Sequence, residues 1–320
     1  VAITITGTAP TVAELNKIAS LTTGVVTASI SGNKSTLAGL NTASGDAVTA
    51  TVTDAVTVAE FNTLDGKTSV GVILQGGVSD AAAAYASTTG TATSGRTAIA
   101  AQDGDAALTV TDAATVAQAN SVATATTGTV VYSGGITDSA ANLMNVGSSA
   151  ISTGLSTAKT EDGDVVITAS TAVTVAQFNL LDAATSSAIV LSGGISDTAA
   201  NLAPSGTASS GLTAATNQDG DVAITITGTA PTVAELNKIA SLTTGTVANK
   251  KYSFTEVMDA VFTTSSFPMS EFNASFALNT VSDKYTQTSS TTYVAPDVSF
   301  NDGAVITAQT LRLWTGNIGS

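Results

Sequence analysis

One short motif recurs five times along the chain and constrains its fold more than any other feature. Each copy reads Thr-Val-Ala, then Glu or Gln, then an apolar residue, then Asn. A Thr followed three residues later by Glu or Gln is typical of a capping box, in which two side chains satisfy free backbone N–H groups at a helix start. The copies begin at residues 11, 57, 115, 174 and 232. The sequence therefore predicts five helices that begin in the same way.

Three positions of each motif are assigned a structural role: the Thr that caps the helix, the Glu or Gln three residues later, and the Asn. They are Thr11, Glu14 and Asn16; Thr57, Glu60 and Asn62; Thr115, Gln118 and Asn120; Thr174, Gln177 and Asn179; and Thr232, Glu235 and Asn237. The asparagines form either a ligand-binding stripe or a ladder whose amides satisfy backbone groups at one corner of every repeat. We favour the ladder, because every copy keeps Asn while the neighbouring residues vary.

A strand-like apolar run precedes each motif, so the repeating element is a strand, a turn and a capped helix. Most repeats add a second strand, a Gly-Gly pair and a second helix capped by Ser or Thr. These second helices are expected over residues 79–85, 137–144 and 196–202, with a degenerate form at 33–40. Ser/Thr/Gly-rich insertions at residues 88–105, 147–164 and 205–221 are expected to bulge on one side. The shorter strand-to-strand interval, roughly 21–24 residues, lies in the range of strand-plus-helix solenoids.

We therefore predict an α/β fold, a solenoid-like array of strand–short-helix repeats followed by an aromatic-rich mixed or β C-terminal domain. The array covers residues 1–250, with repeats at about 1–46, 47–105, 106–164, 165–221 and 222–250. Residues 251–320 hold most of the aromatic residues and are expected to form a capping or assembly domain. The alternative is an all-β sandwich array in which the capped helices are only turns.

Composition excludes several classes of function. The net charge is −14 with only ten Lys and Arg, so the chain lacks the clustered cations that bind nucleic acid or an anionic membrane. It has no Cys and no His, which excludes disulfides, Cys-type zinc sites and His-dependent triads. No apolar run approaches the ~20 residues of a membrane span. The chain opens in a strand without Met, and we interpret it as a processed chain or a piece of a longer array.

Acidic turns precede three of the strands and are the candidate metal sites. Their carboxylates are Asp103, Asp105, Asp162, Asp164, Asp219 and Asp221. Asp and Gly at this spacing can supply oxygen ligands to calcium, which takes six to eight of them. A plain turn that leads into the next strand is the favoured interpretation, because a calcium loop has more carboxylates. No other cofactor is expected.

Three segments carry a resemblance to known proteins: TVAEFNTLDG at 57–66, YAST at 85–88 and VAQFNLLDAAT at 175–185. They resemble the Thr/Ala/Gly-rich repeats of very long surface proteins of marine cyanobacteria and other aquatic bacteria. Similar repeats occur in structural proteins of the phages that infect cyanobacteria. The likeness covers about residues 1–245, and it implies an extracellular or virion scaffold without catalytic residues.

The functional expectation is a non-enzymatic extracellular scaffold, such as a surface-layer, filament or adhesive repeat protein. Self-association into a polymer or array is expected, with a surface glycan as a further possible partner. The alternative is a phage tail fibre or another virion appendage. A third hypothesis, from a different class, is a secreted carbohydrate-active enzyme that uses carboxylates of the C-terminal region. Its candidates are Asp259, Glu271, Asp283 and Asp297.

Overall fold

The computed structural model describes residues 1–229 and 231–248, and beyond them only the backbone of four short strands. Those strands are β14 (Phe276–Leu278), β15 (Thr286–Ser289), β16 (Thr292–Val294) and β17 (Phe300–Asp302). β14 pairs with β17 and β15 with β16, both antiparallel. The four candidate carboxylates of the C-terminal region lie outside the described residues, as does most of the predicted C-terminal domain.

The rest of the described chain consists of short strands and short helices. In order they are β1 (Ile3–Thr4), α1 (Val12–Ser20), β2 (Val26–Gly32), α2 (Lys34–Leu37), β3 (Ala47–Val52), α3 (Val58–Asp65), β4 (Val72–Leu74), β5 (Val78–Asp80), α4 (Ala82–Tyr85), α5 (Ser94–Gln102), β6 (Leu108–Val110), α6 (Val116–Ala123), β7 (Val130–Tyr132), β8 (Ile136–Asp138), α7 (Ala140–Leu143), α8 (Thr153–Glu161), β9 (Ile167–Ala169), α9 (Val175–Asp182), β10 (Ile189–Val190), β11 (Ile195–Thr198), α10 (Ala199–Leu202), a 3-10 turn (Pro204–Gly206), α11 (Ser210–Gln218), β12 (Ile224–Thr227), α12 (Val233–Ala240) and β13 (Val247–Ala248).

The chain divides into two compact units. The first comprises Val1–Thr168 and Ala183–Ala188, and the second comprises Ala169–Asp182 and Ile189–Ser320. Within the first unit, the strands β1-β2-β3-β4 form one sheet and β5-β6-β7 another. Within the second, β11-β12-β13 form a sheet. In all three sheets the neighbouring strands are parallel and follow one another in the chain.

Parallel pairing explains why helices separate the strands. Two parallel neighbours cannot be joined by a hairpin and need a crossover connection, which a helix supplies. β2 and β3, for example, pair over six residues from Thr27↔Ala47 to Gly32↔Val52, and α2 lies between them in the chain. The fold is therefore mixed α/β with parallel sheets. The all-β alternative is wrong, because twelve α-helices occur in the described residues.

The core is made of small and medium apolar side chains that alternate along the strands. In β3, Val48, Ala50 and Val52 are buried while the intervening residues are half-buried. Two of the motif helices bury a narrow i, i+3, i+6 stripe: Val175, Phe178 and Leu181 in α9, with the same spacing in α3. Each helix of two or three turns is marginal alone in water, so this stripe holds it against the sheet.

The second helices of the repeats are shorter than predicted and begin later. Residues 79, 137 and 196, predicted as caps, lie in the strands β5, β8 and β11. Backbone pairing holds these residues extended: the Ser79 N–H, for example, donates to the Val56 carbonyl at 2.8 Å. The helix starts are therefore displaced by two residues, to caps at Ser139 and Thr198 and to Ala81, which has no side-chain cap bond.

The three Ser/Thr/Gly-rich insertions contain helices that were not predicted from the sequence. Each contains a nine-residue helix, α5, α8 or α11, that starts at a Thr or Ser cap. Each helix anchors itself through buried apolar residues, of which the largest are Ile99, Leu155 and Leu212. These segments are therefore helical in spite of their composition, and their bulging on one side stays a prediction. Among the described residues, no helix has the length and apolar character needed to cross a bilayer.

Candidate functional site

The five repeated motifs form reciprocal caps, and this accounts for their Glu and Gln side chains. The Thr57 backbone N–H donates to Glu60 Oε2 at 2.8 Å, and the Glu60 N–H donates to Thr57 Oγ1 at 3.2 Å. The same pair of bonds joins Thr11 to Glu14, Thr115 to Gln118, Thr174 to Gln177 and Thr232 to Glu235. The Thr57 N–H lowers the pKa of Glu60, and the Thr11 N–H lowers that of Glu14. These carboxylates are held charged by the helix starts.

The asparagine of the motif lies at contacts between neighbouring helices and turns. Asn16 donates from Nδ2 to the Gly39 carbonyl at 2.8 Å, and its Oδ1 accepts the Asn41 N–H at 2.7 Å. Asn16 therefore satisfies backbone groups.

Three further asparagines face a glycine of the inserted helices. A Cβ placed at Gly211 of α11 would lie 2.6 Å from Asn179 Oδ1 and 2.5 Å from Val175 Cγ1. Gly95 has the same relation to Asn62, and Gly154 approaches the Cβ of Asn120. The glycine lets two helices approach closely, so these asparagines line helix–helix contacts. Asn237 lies in α12.

The first carboxylate of each acidic turn binds a backbone N–H at the end of an earlier strand: β4 for Asp103, β7 for Asp162 and β10 for Asp219. Asp162 Oδ2 accepts the Tyr132 N–H at 2.7 Å, and Asp219 Oδ2 accepts the Leu191 N–H at 3.0 Å. Asp103 accepts the Leu74 N–H in the same way. Each first carboxylate has a second one beside it, at Asp105, Asp164 or Asp221.

Burial is the main cause that raises the pKa of Asp103, Asp162 and Asp219. The accepted N–H lowers each pKa, and the hydrogen bond and negative charge of the neighbouring Asp raise it again. The described residues contain no group of three or more acidic or other ligating side chains placed to hold a metal ion. Each turn brings together two of the candidate calcium-binding aspartates and one backbone N–H donor.

A wider pattern, which the sequence analysis missed, includes these three aspartates. Nine aspartates each accept a backbone N–H from a residue 20 to 30 positions earlier in the chain. We call them the aspartate bridges: Asp46, Asp54, Asp80, Asp103, Asp112, Asp138, Asp162, Asp197 and Asp219. In every bridge the donor comes first in the chain and the carboxylate follows.

Asp138 shows what a bridge does. Its Oδ2 accepts the N–H of Val116, the first residue of α6, at 3.0 Å. Its Oδ1 accepts the Ser139 N–H at 2.8 Å and the Asn142 amide at 2.7 Å, at the start of α7. The first N–H groups of a helix have no partner within the helix, and the helix dipole favours negative charge there. One carboxylate therefore ties two helix starts together.

Threonine hydroxyls make a second repeated connection between strands and turns. Thr68 Oγ1 donates to the Val48 carbonyl at 2.6 Å and accepts the Val70 N–H at 3.1 Å. Thr22, Thr126, Thr185 and Thr243 make the corresponding pair of bonds. The Thr that recurs shortly after each capped helix is the signal in the sequence that could have revealed this connection.

The buried tyrosines are also used structurally. Tyr85 donates its hydroxyl to the carbonyls of Val78 and Thr109, at 3.0 and 3.1 Å. Tyr132 donates to the Ala119 carbonyl at 2.6 Å. Burial raises the pKa of both phenols above its usual value. Both hydroxyls are therefore neutral donors to the backbone over the physiological pH range.

A shallow pocket of about 210 Å³ lies between α2 and α3 in the first unit. Its floor includes Leu37 and Leu64, which are buried. At its rim Lys34 Nζ lies 3.2 Å from Glu60 Oε2, and both side chains are about 40% exposed. Glu60 already caps α3, so the pocket offers an apolar floor and one exposed ion pair, without a nucleophile and base in contact.

Comparisons with protein-family models, with curated proteins and with solved structures found no match to this chain. Functional inference therefore depends on the geometry of the described residues alone.

Proposed function

We propose that this chain is a non-enzymatic extracellular structural scaffold, such as a surface-layer, filament or adhesive repeat protein. Its described repeats would form a solenoid-like array, in which each strand–helix repeat lies against the next. The observation that carries the proposal is the set of aspartate bridges. In a chain without His or Cys, the carboxylates are the main candidates for acid–base chemistry. Here nine of them bind backbone N–H groups of another part of the array.

The same use of polar groups extends to the motif glutamates and to the repeated threonines. Side chains that an enzyme would direct into a cleft instead bind backbone groups of the array, and the bridges of Asp54 and Asp112 join one repeat to its neighbour. Such a chain resists unfolding along its length and presents a regular, acidic surface, which are properties of a scaffold. At 0.1 M salt, the repulsion between exposed carboxylates more than about 10 Å apart is largely screened. An acidic array therefore suits a saline exterior.

Localisation tests the first half of the proposal. Antibodies raised against the purified chain should label intact source cells as strongly as permeabilised ones. Labelling confined to phage particles would favour the virion appendage instead. Labelling only after permeabilisation would refute an extracellular scaffold.

Assembly tests the second half. The full chain, concentrated in about 0.5 M salt to screen its charge, should form a regular polymer or sheet visible by electron microscopy. The same chain at low salt is the control, and it should assemble less because the net charge of −14 is unscreened. A chain that remains monomeric under both conditions would contradict self-association.

A further inference from the structure

The first repeat lacks the inserted helix that the second repeat carries. Residues 86–107 connect α4 to β6 and include α5, whereas residues 38–46 connect α2 to β3 without a helix. Each connection precedes a strand and a capped helix, α6 in one case and α3 in the other. Both connections lie in the interior of the chain and in the same compact unit. The difference between α6 and α3 therefore shows what the absent helix leaves open.

The inserted segment of the second repeat covers α6. The Gln118 side chain donates to the Ala86 carbonyl at 3.0 Å, and Arg96 of α5 donates to Thr124 Oγ1 at 3.2 Å, at the end of α6. As a result, Gln118 and Ser121 are only 4% and 7% exposed. This face of α6 is closed by the segment that the first repeat lacks.

The equivalent face of α3 is open. The capping boxes of the two helices begin at residues 57 and 115, so Glu60 corresponds to Gln118 and Thr63 to Ser121. Thr63 is exposed, and the Glu60 side chain is 42% exposed. The pocket of about 210 Å³ between α2 and α3 lies on this face. It is therefore a consequence of the shorter connection in the first repeat.

Two lysines, Lys34 of α2 and Lys67 after α3, line this pocket. Both are half-buried. The later repeats have apolar residues at the corresponding positions: Ala82, Ala140 and Ala199 for Lys34, and Ala125, Ala184 and Leu242 for Lys67. The chain has only ten Lys and Arg, and two of them lie at the pocket in place of apolar residues.

The charges of the lining are not balanced. Lys34 Nζ lies 3.2 Å from Glu60 Oε2, and the same oxygen accepts the Thr57 N–H at 2.8 Å. In the described part of the chain, no carboxylate lies within ion-pair distance of the Lys67 ammonium. The lining therefore carries two positive charges and one negative charge, on a chain whose net charge is −14. This local excess of positive charge is complementary to an anion.

We infer that the pocket between α2 and α3 binds a small organic monocarboxylic acid. Its apolar group would lie on the buried floor of Leu37, Leu40 and Leu64, with its carboxylate between Lys34 and Lys67. An apolar floor with a few polar groups is the usual composition of a ligand site. An apolar cavity of about 150 Å³ holds benzene, so this volume suits one ring or a short chain with a carboxylate arm.

The inference goes beyond the proposed function and does not depend on it, because the pocket lies within one chain. The full chain is titrated with 3-phenylpropanoate and, separately, with hexanoate, and backbone amide shifts are followed by NMR. Saturable shifts should be confined to α2, α3 and the residues directly after them. The uncharged 3-phenylpropan-1-ol should bind at least about fivefold more weakly, since it cannot pair with a lysine.

Two results of these titrations would overturn the site. One is the absence of saturable shifts at α2 and α3 with both acids. The other is equal affinity for 3-phenylpropanoate and its alcohol, since the lysines would then contribute nothing.

Variants of the lysines test the role of local charge. Lys67→Ala introduces the residue found at 125 and 184, and it should weaken 3-phenylpropanoate binding about fivefold. Lys159→Ala is the matched control, because Lys159 is a half-buried lysine of α8 outside the lining. It removes the same charge and should leave the affinity unchanged in about 0.15 M salt. Equal weakening by both variants would overturn the inference, since overall charge would then explain binding.

A filled pocket tests the position of the ligand. Ala38 is exposed and belongs to the lining, so Ala38→Phe adds a ring at the pocket without changing the charge. This variant should lose the saturable shifts while its circular dichroism spectrum stays that of the parent. A folded Ala38→Phe chain that binds 3-phenylpropanoate as the parent does would place the ligand elsewhere and refute the site.

Discussion

Removal of one aspartate bridge is the most direct test of how this fold is held together. Asp197 is 5% exposed and its carboxylate has three donors. Oδ2 accepts the Val175 N–H at 3.0 Å, and Oδ1 accepts the Thr198 N–H at 2.8 Å and the Asn201 amide at 2.7 Å. Asp197→Ala leaves the first N–H of α9 and the cap of α10 without this acceptor.

The expected cost follows from the number and type of bonds lost. A hydrogen bond to a charged group contributes about 1.5–3 kcal/mol net, and a buried donor left without a partner costs about 1–3 kcal/mol. Water can replace part of the loss at Thr198, which is half-buried. We therefore expect Asp197→Ala to lower the free energy of unfolding by about 3 kcal/mol. Asp197→Asn keeps one acceptor oxygen and should lose about half of that.

The assay combines urea unfolding with hydrogen exchange. Circular dichroism gives the change in free energy, and exchange at the Val175 and Thr198 amides locates it. The matched control is Asp182→Ala in α9, the helix whose first N–H Asp197 accepts, because the Asp182 carboxylate accepts only the Gln218 side chain among the bonds described. That control should cost under about 1 kcal/mol and leave both amides protected.

The reasoning would be refuted by either of two results. One is an Asp197→Ala chain whose unfolding midpoint matches that of Asp182→Ala. The other is a large loss of stability with unchanged protection at Val175 and Thr198, since the damage would then lie elsewhere.

Three further predictions follow from the caps, the close helix contacts and the acidic turns. Thr174→Ala should cost about 1 kcal/mol in urea unfolding, the usual effect of losing an N-cap, and a neutral result would contradict the capping box. Gly211→Ala should destabilise by about 1–3 kcal/mol through overpacking, whereas Gly220→Ala should be neutral or stabilising; equal effects would contradict the close contact. The raised pKa of Asp219 means that the folded chain binds this proton more tightly than the unfolded chain, so its contribution favours folding increasingly as the pH falls toward 3.8. Asp221→Asn removes the neighbouring charge and should make that gain smaller in urea midpoints measured from pH 7 to 4; an equal or larger gain would count against the coupling.

The capped helices and the strands before them were predictable because their signals are local. A Thr and a Glu or Gln three residues apart define a helix start without any distant contact, as at Thr57 and Glu60. The alternation of β3 likewise reflects one buried face. These patterns correctly predicted a mixed α/β chain in which a helix follows the strand before each repeated motif.

The inserted helices could not be predicted in the same way, because a distant contact decides them. Glycine within a helix costs about 1 kcal/mol relative to alanine, so Gly95, Gly154 and Gly211 favoured a loop when read locally. In the structure the missing side chain admits the neighbouring helix, and Ile99 or Leu212 is buried as a result. Tertiary packing therefore outweighs the local preference.

The aspartate bridges were equally hidden. Asp138 looks like an ordinary residue before a short helix, and its partner Val116 is 22 residues earlier. No local spacing rule links an aspartate to a backbone N–H at that distance. The strand β8 that positions Asp138 has only three residues, which is too short for periodicity to reveal. The sequence shows that the chain is acidic, but it does not show which backbone N–H group each aspartate binds.

The order of donor and acceptor in the bridges has a consequence for the time course of folding. A chain leaves the ribosome with its N-terminus first. The Val116 N–H is therefore synthesised 22 residues before the Asp138 carboxylate, and the Ala82 N–H 30 residues before that of Asp112. Each bridged N–H is therefore made before its acceptor, so a bridge can close only once the chain has grown 20 to 30 residues past its donor.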